Sequence, residues 1–124
     1  DLRENVNGNE LAKTPDFTAD ISMTYETVLS SGNSLTSVFQ FVKRGEFMQR
    51  VNNNTSVDVV PDYQIFNISV GIDFKNDLSL DFILLNAADE DGINSAMTDV
   101  FGVAATGLEY IPPRQMMTRI SYDF

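Results

Sequence analysis

The sequence predicts an all-β chain, an antiparallel meander of about five long strands, and three observations carry that prediction. Apolar and polar residues alternate with period two along five separate stretches. Short turn sequences at residues 30–34 and 75–77 alternate with long links at residues 51–62 and 86–113. No stretch reaches the roughly 18 uninterrupted apolar residues of a membrane-spanning helix. At 124 residues the chain is one domain or a piece of one.

The first strand is expected over residues 17–29. Its odd positions run Phe17, Ala19, Ile21, Met23, Tyr25, Thr27 and Leu29, and its even positions carry Asp20, Ser22, Thr24 and Glu26. The second covers residues 35–41, with Phe39 and Phe41 on one face and Thr36 and Gln40 on the other, before Lys43-Arg44-Gly45 interrupts the pattern. Residues 65–74 form the cleanest strand, with Phe66, Ile68, Val70, Ile72 and Phe74 separated by Asn67, Ser69, Gly71 and Asp73. In the fourth, Leu78, Leu80, Phe82 and Leu84 alternate with Ser79, Asp81, Ile83 and Leu85. Helix competes for residues 83–88, but six residues between Asp81 and Asp89 are too few for period to arbitrate. The fifth strand, residues 116–124, sets Met116, Thr118, Ile120, Tyr122 and Phe124 against Met117, Arg119, Ser121 and Asp123.

In this register the apolar faces carry no charge. A slip of one residue would bring out Asp20, Glu26, Asp73, Asp81, Arg119 and Asp123 instead. A soluble β-sandwich or jelly-roll binding module would bury such faces against a second layer, and alternation alone does not separate that fold from a sheet facing lipid. All five strands offer a greasy face, however, while no segment remains to cover it. The alternation of short and long links is that of outer-membrane barrels. Five strands are too few to close a barrel, and open edges in hydrocarbon leave backbone groups unpaired at several kcal/mol each. The expectation is therefore an arc of a larger transmembrane β-barrel.

Composition narrows the chemistry. Eight Lys and Arg against eighteen Asp and Glu give a net charge of −10, which repels phosphate backbones and argues against a nucleic-acid partner. Histidine and cysteine are absent, which removes Ser-His-Asp and Cys-His catalysis, thiolate zinc sites and disulfides. No enzyme, cofactor or metal is expected. Asp89-Glu90-Asp91-Gly92 has a superficial likeness to a calcium loop, but its glycine falls at the fourth position rather than the sixth, and Ile93 follows where an oxygen ligand belongs. A turn held by Asn86 and Asp89 explains these residues better. The first residue is Asp1, without Met or an apolar leader, so the chain reads as an internal fragment or one from which a targeting segment was removed.

Several short motifs then appear in order. Gly8-Asn9-Glu10-Leu11 is followed by Thr14-Pro15-Asp16-Phe17; Pro61-Asp62-Tyr63-Gln64-Ile65-Phe66-Asn67 is followed by Val70-Gly71. Next come Asn86-Ala87-Ala88-Asp89-Glu90, Tyr110-Ile111-Pro112-Pro113-Arg114-Gln115 and the terminal Ile120-Ser121-Tyr122-Asp123-Phe124. Together they resemble the C-terminal end of a TonB-dependent outer-membrane receptor, over nearly the whole chain. The resemblance implies that residues 1–124 are the C-terminal part of a receptor β-barrel of about 22 strands, in a bacterial outer membrane. The plug domain, the TonB box and the earlier strands would lie outside this sequence. It further implies active import of a scarce ligand such as a ferric siderophore, a cobalamin or an oligosaccharide.

The partners implied are outer-membrane lipid and lipopolysaccharide, the plug domain and remaining barrel strands, the TonB energy-coupling protein through the absent N-terminal part, and the barrel-assembly machinery. That machinery would read Ile120, Tyr122 and Phe124 as its signal. Ligand contacts in such receptors come from outer loops, which makes Asn53, Asp58, Asp99, Phe101, Glu109 and Tyr110 the candidates here. Lys43, Arg44 and Arg50 are either rim charges or contacts to lipopolysaccharide phosphate.

Overall fold

The structure, a computed structural model, describes residues 5–99 and 105–124. Among them there is no helix. The strands are β1 (Thr18–Val28), β2 (Ser34–Arg44), β3 (Phe47–Met48), β4 (Val59–Val60), β5 (Tyr63–Asp73), β6 (Leu78–Leu85), β7 (Ile93–Thr98), β8 (Thr106–Tyr110) and β9 (Gln115–Tyr122). Five of them form one antiparallel sheet in the order β1-β2-β5-β6-β9, while β3 pairs with β4 and β7 with β8. The five expected strands are these five, in the expected meander. Residues 83–85 are strand, and a turn begins at Asn86.

Two compact units divide the chain. One comprises Ala19–Val42, Ile65–Glu90 and Pro112–Phe124 and holds most of the five-stranded sheet; the other comprises Asp1–Thr18, Lys43–Gln64 and Asp91–Ile111.

In the sheet unit the alternation of the sequence becomes two chemically distinct faces. Ile68 stands opposite Leu84, Val70 opposite Phe82 and Ile72 opposite Leu80. Across the next ladder Leu80 meets Ile120, Leu84 meets Met116 and Leu78 meets Tyr122. Phe66 extends this face toward β2, its ring 5.1 Å from that of Phe41 and 6.0 Å from that of Phe39. The opposite face is polar. Gln40 donates to both carboxylate oxygens of Asp20 at 3.0 Å, and Asn67 donates to Gln40 at 2.9 Å. Ser79 donates to Asp73 at 2.7 Å, and Asp81 lies opposite both Gly71 and Arg119. Gly71 is needed for that last arrangement, because a Cβ there would sit 2.7 Å from the Asp81 carboxylate that Arg119 grips at 2.9 Å.

Covered apolar residues are missing from this unit. No hydrophobic residue of the sheet unit is buried, and Ile21, Met23, Met116 and Ile120 are each 62 to 70% exposed. Tyr25, Phe82, Tyr122 and Phe124 are exposed as well. Removing these side chains from water is worth about 1 kcal/mol or more apiece, hence on the order of 10 kcal/mol for the face. That rivals the whole stability of an ordinary domain.

The second unit has the only hydrophobic cluster among the described residues. Phe47, Val60 and Ala96 are buried together, with Ile93 packed against them. Phe47 pairs with Val60 across the β3–β4 ladder, and β7 supplies Ala96 and Ile93. Residues 51–62 and 86–113, expected to be plain links, therefore contain β4 and the β7–β8 hairpin. A register shift between Ile93 and Ser95 hid the hairpin, since one extra residue reverses the parity that a period-two reading depends on.

Candidate functional site

The outward chemistry expected of this chain lies in residues 43–64 and 91–111, so the candidate surface is built from these. Below β3 and β4, Gln49 N donates to Asp58 O at 2.8 Å, which holds the ends of the intervening loop together. Asp58 then organises the loop interior. Its side chain is fully buried and accepts from Arg50 Nε at 2.6 Å and from the backbone N–H of Asn54 at 2.8 Å. A carboxylate buried without partners would cost several kcal/mol, so these donors are what allow it to be there.

Asn53 is committed in a similar way. It adopts φ 53°, which asparagine tolerates better than most residues. Its amide donates to Glu10 O and Arg50 O at 3.1 and 3.0 Å, and its carbonyl accepts from Glu10 N at 2.6 Å. Asn9 donates to Val51 O at 2.8 Å, and Lys13 N donates to Met48 O at 2.7 Å. Residues 9–13 are thus laced along residues 48–53.

The hairpin β7–β8 offers a different surface. Ala96 and Thr98 face the cluster side, Thr98 receiving a hydrogen bond from the buried Gln49 at 3.0 Å. Ser95, Met97, Asp99, Gly107 and Glu109 line a shallow groove on the hairpin. Met97 is 74% exposed and Tyr110, opposite Ile93, is 58% exposed. Asp99 closes the hairpin through its backbone N–H to Ala105 O at 2.9 Å. Phe101 lies outside the described residues.

Of the six candidate contacts, then, the structure places Asp99 and Glu109 on one groove and Tyr110 on the same hairpin. Asn53 and Asp58 hold their own loop through the contacts above. Nothing in the sequence marks Asp58 as internal, because the donors that satisfy it come from neighbours whose placement only the turn decides.

The three cations are paired internally. Lys43 forms an ion pair with Asp62, and that partner holds the Asp62 carboxyl below its usual 3.8 chiefly by hydrogen bonding and then by charge. Arg50 is taken by Asp58. Arg44 lies 4.8 Å from the ring centroid of Phe47 and 4.4 Å from that of Tyr63, and donates to the carbonyls of Ile93 and Asn94. Arg44 and Tyr63 were not anticipated as a pair; an aromatic two residues into a motif carries no such signal.

In the sheet unit, Asn86 and Asp89 hold their turn as expected. Asn86 is 3% exposed, adopts φ 48°, donates to Glu90 O and Pro112 O at 3.0 and 3.1 Å and accepts from Glu90 N at 2.9 Å. Asp89 accepts from Arg114 N at 2.9 Å. Ile120, Tyr122 and Phe124 share the apolar face, and the Tyr122 and Phe124 rings meet edge to face at 5.3 Å. Among the described residues no cluster of three metal-ligating side chains occurs, and no helix is long and apolar enough to cross a membrane. Comparison of the chain with protein-family models, with curated proteins and with solved structures finds no match.

Proposed function

We propose that the chain supplies part of the wall and outer loops of a TonB-dependent receptor in a bacterial outer membrane. The receptor would import a scarce ligand such as a ferric siderophore, a cobalamin or an oligosaccharide. The observation that carries the reading is the apolar face of the five-stranded meander, which is free of charge, holds no buried residue and is opposed by a face holding Asp20, Asp73, Asp81 and Arg119. Lipid outside and water or a polar plug inside would satisfy both faces at once. The open edges at β1 and β9 would be closed by further strands of the same barrel. The ordered motifs that resemble this family add direction: short turns toward the periplasm, long loops outward, and Ile120, Tyr122 and Phe124 as the assembly signal. Among the loop candidates Glu109 and Tyr110 remain presented to a ligand, with Asp99 beside them.

Met23 and Ser22 provide the test, since they are neighbours on opposite faces near the middle of β1. In water, Met23→Arg at a position 65% exposed is nearly neutral. At the middle of a bilayer it costs about 2–4 kcal/mol. In the full-length receptor, Met23→Arg should sharply reduce folded, heat-modifiable protein in outer-membrane fractions, while Ser22→Arg should leave most of it. Equal, small effects from both would overturn the reading in favour of a soluble binding module.

A further inference from the structure

Arg44 is the last residue of β2, Tyr63 the first of β5, and Gly92 immediately precedes β7. These three positions come together in the second unit. The Arg44 guanidinium lies against the rings of Phe47 and Tyr63 while its N–H groups reach the carbonyls of Ile93 and Asn94, the latter at 2.7 Å. Tyr63 also lies directly against Gly92: a Cβ at that buried position would lie 2.7 to 2.9 Å from three carbons of Tyr63. Gly92 O in turn accepts the backbone N–H of Ile111, the residue that follows β8. One planar cation therefore touches both strands that lead into the first long loop and the first strand of the hairpin in the second.

We propose that Arg44 is a latch that makes residues 45–62 and the β7–β8 hairpin move as one body. It acts as a positioning residue: it holds the surface carrying Asp99, Glu109 and Tyr110 at a set distance from the loop organised by Asp58. Arginine suits the task, because its planar head lies close to two aromatic rings and still donates to two carbonyls, whereas a lysine ammonium does one or the other. The small cluster of Phe47, Val60, Ala96 and Ile93 and the hydrogen bond from Gln49 to Thr98 also join the two loops, and the Arg44 contacts at Ile93 and Asn94 add a directional tie at the opposite end of β7. The latch concerns how the two loops are joined and stands whether or not the protein imports a ligand.

The chain contains no cysteine, so spin labels can be placed by Thr55→Cys and Leu108→Cys without competing thiols from this segment. Both sites are exposed, one on each loop. Double electron-electron resonance on the intact protein should give one narrow distance. Arg44→Ala and Tyr63→Ala should broaden that distribution at least twofold, and Arg44→Lys should broaden it nearly as much. Tyr63→Phe, which keeps the ring, should restore the parent width. Gly92→Ala offers a second route, since its methyl group displaces the ring without touching the cation, and it too should broaden the distribution. An unchanged width in both Arg44→Ala and Gly92→Ala, with the β-sheet circular dichroism of the parent retained, would overturn the latch. Broadening by Tyr63→Phe equal to that by Tyr63→Ala would overturn the stacking account of it.

Discussion

Asn86 makes the sharpest stability prediction because three costs converge on one buried side chain. Replacement by alanine removes two donated hydrogen bonds, to Glu90 O and Pro112 O, and one accepted from Glu90 N. Each is worth about 1 kcal/mol net, with more for polar groups left unpaired in a site only 3% exposed. Alanine must also adopt the φ of 48° that asparagine accepts, at about 1–2 kcal/mol. Asn86→Ala should therefore destabilise the protein by about 4–5 kcal/mol. Asn86→Gly relieves the backbone but adds disorder to the unfolded chain, so it should recover only about 1 kcal/mol of that. Asn86→Asp keeps the acceptor for Glu90 N while turning a carboxylate toward two carbonyl oxygens, and should do no better than glycine. Urea unfolding followed by circular dichroism, under conditions in which the parent is folded, measures all three. A loss below about 1.5 kcal/mol for alanine would refute the additive reasoning. A glycine variant weaker than alanine would show that the positive φ costs nothing here.

On the proposed barrel reading, deletion of Phe124 or Tyr122→Asp at the C-terminus should cut the yield of heat-modifiable protein in outer-membrane fractions, whereas Asp123→Asn, on the other face, should do much less. Equal loss from all three would mean that facing is irrelevant in β9. Asp62 should titrate below 3.8, because its partner Lys43 favours the carboxylate. A lowered folded value means the pair contributes fully above the usual carboxylate range and is lost only as pH falls through that lower value. The carboxyl carbon shift of Asp62 followed by NMR should show this, and Lys43→Met should return the midpoint toward 3.8.

What the sequence determined by itself is the sheet. Period two along Phe66 to Phe74 or Met116 to Phe124 admits one register in which every charge leaves the apolar face, and the ladders adopt that register at Val70 with Phe82 and at Leu80 with Ile120. Asn86 was legible for a similar reason, since its bonds with Glu90 close the turn four positions on, whereas the contacts of Asn86 with Pro112 and of Asp89 with Arg114 span 26 and 25 positions. Tertiary structure alone decided the loops. Whether Asp58 is a ligand contact or an internal acceptor depends on Arg50 and Asn54 folding around it, and no spacing encodes that. The β7–β8 hairpin was masked by one extra residue between Ile93 and Ser95. Arg44 reaches Ile93 and Asn94 across about fifty positions of chain, a separation over which charge and aromaticity carry no local pattern. Local alternation is a short-range property that a single sequence displays in full, whereas pairing between distant loops exists only once both ends of the contact have been brought together.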